Sequence, residues 1–183
     1  MWKLLVLLIA LSPLPAFAVP WTLSPETSVA VDVPWQGRLV TVQFPKLSGT
    51  IDFDENRPDR TQAEISVDST AATTGVGVVD SVVRSADYLG AAQYPEITFH
   101  LDSLKQLSKT AAVVTGRITM RGVTQPARFD ATVLRYGKNA GGRFEAGFSL
   151  SGEIDRTRFG SKGGLPEVGA VLPVRINLMM TGQ

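Results

Sequence analysis

Leu172-Pro173-Val174-Arg175-Ile176-Asn177-Leu178-Met179-Met180 decides how this chain is read. Leu172, Val174, Ile176, Leu178 and Met180 share one parity, while Pro173, Arg175, Asn177 and Met179 hold the other. Successive side chains of an extended strand point to opposite faces, so this stretch is a strand with one apolar and one mostly wet side. The same period recurs outward from it. Phe144, Ala146, Phe148 and Leu150 form one run, and Phe129, Ala131 and Val133 alternate with Asp130 and Thr132. Ile118 and Met120 alternate with Thr119 and Arg121, and Ile97, Phe99 and Leu101 with Thr98, His100 and Asp102. Toward the start lie Val29/Val31/Val33, Val40/Val42/Phe44, Ile51/Phe53 and Ile65/Val67.

Turn chemistry separates these runs, as at Asp54-Glu55-Asn56-Arg57-Pro58-Asp59, Arg121-Gly122-Val123-Thr124-Gln125-Pro126 and Lys138-Asn139-Ala140-Gly141-Gly142. The runs count to about eight or nine strands. One-sided alternation is the mark of antiparallel strands; parallel strands covered on both faces read as continuous apolar runs. Gly77 to Ala92 departs from the period, with Val78, Val79, Val82, Val83 and Ala86 at helical spacing. It predicts one or two short helices ending near Gly90 and Tyr94-Pro95. Strands with one apolar face each must bury those faces together. Closing the sheet does so and removes exposed edges, whereas a two-sheet sandwich gives the same alternation. The expected fold is all-β, an antiparallel β-barrel of about eight strands with the helical insertion near residues 77–92. Eight strands enclose side chains alone or one small ligand.

Composition narrows the function. The chain has 183 residues, 44% hydrophobic and 19% charged, which is enough for one domain with a core. With no cysteine, disulfides, thiolate metal sites and cysteine nucleophiles are excluded. The N-terminal MWKLLVLLIALSPLPAFA has Lys3, an apolar run from Leu4 to Leu11, two prolines and an Ala16-Phe17-Ala18 close. This is the pattern of a secretory signal peptide cleaved after Ala18, too short for a spanning helix. Residues 19–183 then form the domain, exported most simply to a bacterial periplasm. Losing Lys3 leaves 17 basic against 17 acidic residues, and a neutral surface is a poor nucleic-acid binder.

Catalytic and metal patterns are weak. His100 is the sole histidine and lies on the parity opposite Phe99, away from the apolar face. A hydrolase triad needs a base beside its nucleophile. Asp52, Asp54 and Asn56 imitate the start of a calcium loop, but Arg57 and Ala63 stand where it needs Gly and Glu, so no metal site is expected. Gly160-Ser161-Lys162-Gly163-Gly164 lacks phosphate-loop spacing. Arg156 and Arg158, two apart on an assumed strand, would face the same way, and arginine forks match diphosphate or carboxylate oxygens. Together with Arg84 they are candidate head-group contacts.

A family resemblance covers the mature chain. Trp21-Thr22-Leu23-Ser24-Pro25 precedes the first alternation. Phe44-Pro45-Lys46-Leu47-Ser48-Gly49-Thr50-Ile51-Asp52-Phe53-Asp54 resembles an F-x-x-F-x-G-x-I-x-F-D strand pair. Arg84 to Leu89 sits at a short helical motif, Tyr94-Pro95-Glu96-Ile97-Thr98-Phe99 resembles Y-P-x-I-x-F, and Gly116 to Pro126 resembles G-x-L-T-[IM]-x-G-V-T-x-P. Ile154 to Gly160 resembles the closing I-x-R-x-x-F-G. In this order the pieces resemble the YceI-like family of periplasmic lipid-binding proteins. Thr27 and Trp35 stand where that family often has histidine, and Val42 where it commonly has glycine.

The resemblance implies a lipocalin-like barrel with a long apolar pore that holds a polyisoprenoid, quinone-like or other long-chain lipid, without catalysis and without a cofactor. Candidate pore residues are Val31, Phe44, Ile97, Phe99 and Ile118, with Met120, Phe129, Phe148, Ile176 and Leu178. The same side chains could fill the barrel as a dry core. Two other functions stay open: an interaction module with a filled core serving a membrane redox or transport complex, and a lipid or glycan hydrolase. Transient contact with a membrane or a homodimer is compatible with the sequence; stable membrane insertion of the mature chain is not expected.

Overall fold

The computed structural model describes residues 20–54 and 56–182, so the signal segment read at residues 1–18 lies outside the described residues. The strands are β1 (Pro20–Leu23), β2 (Ser28–Trp35), β3 (Arg38–Phe44), β4 (Leu47–Asp52), β5 (Gln62–Asp68), β6 (Glu96–Gln106), β7 (Ala111–Met120), β8 (Val123–Lys138), β9 (Phe144–Asp155) and β10 (Val171–Gly182). One α-helix, α1 (Gly77–Arg84), is inserted between β5 and β6. Short 3₁₀ turns lie at Pro58–Arg60, Ser69–Ala71 and Arg156–Phe159.

Each alternating run became a strand, and every named pairing is antiparallel. The sheet runs β1-β4-β5-β6-β7-β8-β9-β10, and β1 pairs again with β10 through Trp21↔Gly182 and Leu23↔Met180, which closes the ring. Farther along β10, Ile176 and Val174 pair with Val29 and Val31 of β2, and β2 pairs with β3. Thus β2 prolongs β1 past a bend, and β3 precedes β4 past another. The ten segments make eight staves. The apolar faces are buried by a closed barrel, as expected, and not by the alternative two-sheet sandwich.

The bend between β1 and β2 interrupts the ladder against β10, and a side chain repairs it. The buried Thr27 hydroxyl donates to the Met179 carbonyl at 2.8 Å and accepts from the Met179 N–H at 3.1 Å. A second tie crosses the outer face of the next turn of the barrel. Asp32 on β2 accepts from Arg175 Nε at 3.0 Å and Arg175 Nη2 at 2.8 Å, and from Thr41 Oγ1 at 2.6 Å. The fork from Arg175, with Thr41 behind it, holds the Asp32 carboxyl below its ordinary pKa.

The sequence stripe from Val78 to Ala86 predicted helix to its end. The helix stops at Arg84, Ser85 turns extended, and Ala86 is exposed in the turns that follow. The N-terminal anchor is Asp80, buried on the helix. It accepts from Thr73 Oγ1 at 2.7 Å, Thr74 N at 2.6 Å and Thr74 Oγ1 at 2.7 Å. Gln43 and Thr73 exchange backbone hydrogen bonds, so the segment entering α1 is tied to β3.

Thr27→Val keeps the shape of the side chain but strands the Met179 N–H. It is expected to cost about 1–3 kcal/mol, a thermal midpoint several degrees lower, with most of the loss restored in Thr27→Ser. Asp32 supplies a pH test. A folded pKa held below the unfolded value near 3.9 contributes stability above that value, lost as pH falls through the lowered folded pKa. The gap in thermal midpoint between the native chain and Asp32→Asn is therefore expected at pH 7 and should shrink toward pH 2.

Candidate functional site: an apolar cavity along the barrel

The inward faces of the staves do not meet. They enclose a cavity of about 750 Å³ whose wall reaches from Trp35, Val78 and Val82 at the α1 end to Ser108, Lys109 and Pro58 at the opposite end. That size falls within the roughly 300–1,000 Å³ of small-molecule sites. All ten candidate pore residues lie in its wall. Val31, Phe44, Ile118, Met120 and Phe129 are buried, whereas Ile97, Phe99, Phe148, Ile176 and Leu178 keep accessible surface although their parity points them inward. In a filled core, side chains facing the axis would be covered on all sides. These are uncovered on the side of the cavity.

Two glycines keep the rings off the axis. A Cβ at Gly116 would stand 2.5 Å from the Phe99 ring, and one at Gly152 would stand 2.6 Å from the Phe129 ring. Each ring therefore occupies the space a neighbouring inward side chain would fill. Phe99 and Phe129 meet edge to face, with centroids 6.0 Å apart. Phe53 and Phe148 meet the same way at 5.8 Å farther along the wall. Such contacts hold the rings against one another and against the strands.

The sequence did not point to several wall residues. Val79, Val83 and Leu89 come from α1 and the turns after it, while Trp35, Leu104 and Gln106 come from strand ends. Extending the parity of Val29/Val31/Val33 by one step would have found Trp35. The β-bulge between Leu101 and Ser103 shifts the parity of β6, so Leu104 and Gln106 face the cavity in place of Ser103 and Lys105.

The arginine reading requires correction. Arg156 and Arg158 do not share a strand face, because β9 ends at Asp155 and the chain turns into the 3₁₀ segment Arg156–Phe159. Asp155 makes the turn by accepting from Thr157 N at 2.9 Å and Thr157 Oγ1 at 2.6 Å. Arg158 and Arg84 lie outside the cavity wall, and Arg84 pairs with Asp80 at 3.6 Å and donates to the Thr70 carbonyl at 3.2 Å. Arg156 does line the cavity, but it is 3% exposed and fully engaged. Its Nε donates to Gly169 O, its Nη1 to Ser161 O and Oγ, and its Nη2 to Gly163 O and Val168 O, at 2.8–3.4 Å. A guanidinium has five N–H donors, and all five have acceptors. Burial pushes the Arg156 pKa below its ordinary value, and the Tyr88 ring stacks 5.6 Å away. The three arginines are not assembled as a head-group site; Arg156 instead gathers residues 161–169 over the end of the barrel.

The remaining polar candidates lie elsewhere. His100 is on the outer face, half exposed, with Nδ1 3.2 Å from Glu64 Oε1. Asp54 accepts from Asn56 N and Arg57 Nε, the local bonds of a turn. Among the described residues no three His, Asp or Glu side chains converge as a metal site. No helix of the described residues is long and apolar enough to cross a membrane.

Comparison with known proteins agrees with this fold. The model of the YceI-like domain matches residues 21–180. Protein YceI of Escherichia coli O157:H7 is 33% identical over 119 residues, 65% of this chain and 62% of that protein. A UPF0312 protein of Pseudomonas savastanoi pv. phaseolicola is 32% identical over 120 residues, 66% of this chain and 62% of that one. The chain thus matches somewhat under two thirds of the length of these relatives. In fold it is similar to BcnA of Burkholderia cenocepacia, with a TM-score of 0.77, 19% identity and coverage of 86% of this chain and 98% of the other. It is also similar to a polyisoprenoid binding domain from Saccharophagus degradans, at 0.67, 17%, 90% and 99%.

Arg156→Lys keeps the charge but cannot reach five acceptors in a planar fork. It is expected to cost at least about 2 kcal/mol and to raise hydrogen exchange across residues 161–169 before the strands respond. Amide exchange followed by mass spectrometry checks it; an unchanged exchange pattern there would show that Arg156 does not hold this segment.

Proposed function

We propose, from the fact that this chain belongs to the YceI-like family, that it is a non-enzymatic binding and carrier protein for a long-chain lipid, held in the barrel cavity. The observation that carries the reading is the set of inward-facing Ile97, Phe99, Phe148, Ile176 and Leu178 left with uncovered surface along a continuous apolar wall. Burying methylene groups there is worth about 0.8 kcal/mol each. One five-carbon isoprene unit would contribute roughly 3–4 kcal/mol gross on that scale. A few units exceed the cost of ordering a flexible chain without any charged contact. The polyisoprenoid binding domain among the structures of similar fold favours an isoprenoid or quinone-like tail over other lipids.

The N-terminal signal pattern and the family support an exported, periplasmic protein. An interaction module built on a filled core fits less well, because the core is hollow. A hydrolase fits least: His100 projects from the outer face, on the other side of β6 from the cavity.

Native mass spectrometry of protein purified from the periplasm, with organic extraction of the bound material, tests this. A stoichiometric long-chain lipid is expected. Phe99→Arg and Phe148→Arg should each abolish its retention while the chain stays folded. A bare mass that persists after incubation with prenyl alcohols and quinones, or full retention in both folded variants, would overturn the reading.

A further inference from the structure

Two hairpin tips stand side by side at the end of the barrel away from α1. One is the β6–β7 turn, residues 107–110, and the other the β8–β9 turn, residues 139–143. Val133 N donates to the Thr110 carbonyl at 2.9 Å and Ala111 pairs with Thr132, so the last stretch of β8 begins where β7 starts. From Arg135↔Gly147 to Lys138↔Phe144, β8 pairs with β9 alone, and this hairpin projects past the rim of β7. Asn139 sets its turn, accepting at Oδ1 from Gly141 N at 2.9 Å and Arg143 N at 3.1 Å.

The chemistry of the two tips is one-sided. Leu107, Leu134, Tyr136 and Phe144 are 60%, 58%, 41% and 43% exposed. Among them stand Lys105, Lys109, Arg135, Lys138 and Arg143, all exposed. Glu145 is the one carboxylate within residues 104–111 and 134–147, and Arg135 pairs with it. The other four cations form no ion pair among the described residues. Lys138 Nζ lies 5.4 Å from the centroid of the Phe144 ring. Unpaired cations beside exposed rings and leucines complement the boundary of an anionic bilayer, where head groups take the charges and the acyl layer takes the apolar side chains.

The patch leads into the cavity. Phe144, Tyr136, Trp21, Phe53 and Phe148 form a chain of rings with successive centroids 5.8–6.4 Å apart, and Tyr136, Phe53 and Phe148 lie in the cavity wall. A long-chain lipid that crossed water to reach this wall would expose its hydrocarbon on the way, and a mouth set against the bilayer removes that exposure. The rest of the rim lacks this charge. The α1 end exposes Trp35, Val76, Val78 and Val82, but residues 34–39, 76–94 and 161–169 hold Arg38, Arg84 and Lys162 against Asp80, Asp87 and Glu167. Across the mouth from the tips, the β4–β5 connection holds Asp54 and Asp59 against Arg57 and Arg60.

We propose that the β6–β7 and β8–β9 tips dock this protein on an anionic lipid bilayer, and that the ligand passes between bilayer and cavity at this end. The inference rests on the lipid-binding reading for its cargo; the docking itself is measured on vesicles without cargo.

Flotation with vesicles of phosphatidylglycerol and phosphatidylcholine is compared with flotation on phosphatidylcholine alone. The native chain is expected to float with the anionic vesicles only, and less as salt is raised. Each cation at an anionic surface is worth about fivefold in partitioning. Lys105→Gln, Lys138→Gln and Arg143→Gln combined should therefore weaken binding about a hundredfold with the thermal midpoint unchanged. Leu107→Ser with Leu134→Ser should weaken it severalfold and leave its salt dependence in place. The chain has no cysteine, so a polarity-sensitive dye on Leu134→Cys or Val78→Cys reports one end each. Anionic vesicles should shift the emission of the first and not of the second. Geranylgeraniol carried in the vesicles should enter the triple variant more slowly but reach the same occupancy, because docking changes the route and not the affinity of the cavity. Equal flotation on both vesicle types, equal flotation of native and triple variant, or a response at Val78 would overturn docking at this end while lipid binding stands. Absent flotation with self-association that the leucine variant abolishes would assign the patch to a second copy instead. A chain that floats but takes up no geranylgeraniol would overturn the lipid-binding reading and leave the docking.

Discussion

The barrel depends on β10. On one side it pairs with β9 along eleven residues, from Val171↔Asp155 to Thr181↔Glu145. On the other it must satisfy two strands in succession, β2 near its start and β1 near its end. A sheet closes only if its last strand finds the first, and here the first stave is bent. The bend is tolerable because Thr27 supplies from a side chain what the backbone cannot, and because Arg175 reaches from β10 to Asp32 on the far side of the break. Without closure, β1 and β10 would be open edges, with apolar inner faces uncovered as well.

Closure alone does not make a cavity; eight staves can as easily be filled by their own side chains. Here the apolar mass is placed against the wall. Gly116 and Gly152 accept the Phe99 and Phe129 rings, and the rings meet across β7, which lies between their strands β6 and β8. Bulges in β6 and between Val133 and Arg135 of β8 lengthen one strand against the next and bend the sheet. The folded state therefore leaves apolar surface uncovered that a compact core would have buried. A ligand that buries Ile97, Phe99 and Leu178 gains what folding did not.

Much of this was legible in the sequence, because period-two parity is a property of the strand itself. The inward set at Ile97/Phe99, Ile118/Met120 and Ile176/Leu178 could be assigned without knowing which strands pair. The width of the barrel could not, since it is set by which side chains pack on glycines across the ladder. The arginines were misplaced for a local reason. Parity was carried past Asp155, where a side-chain carboxylate capping Thr157 ends the strand and reverses the chain. Gln106 and Leu104 were hidden by a bulge, which shifts parity without leaving a clear mark in the residues.

The two buried charges at the α1 end show how the barrel handles polarity near an apolar cavity. Asp80 is neutralised by hydroxyls, a backbone N–H and a partly exposed Arg84; Arg156 is surrounded by four carbonyl oxygens and the Ser161 hydroxyl. Neither faces the cavity with an open donor or acceptor. Each charge instead orders a loop, Asp80 the entry to α1 and Arg156 residues 161–169. Removing a partner from either would leave a buried charge uncompensated, which costs far more than losing a surface pair. The apolar character of that end is thus maintained by charges, held where the dipoles of the chain absorb them. A hydrocarbon tail can occupy such a site without displacing any bond the protein has made.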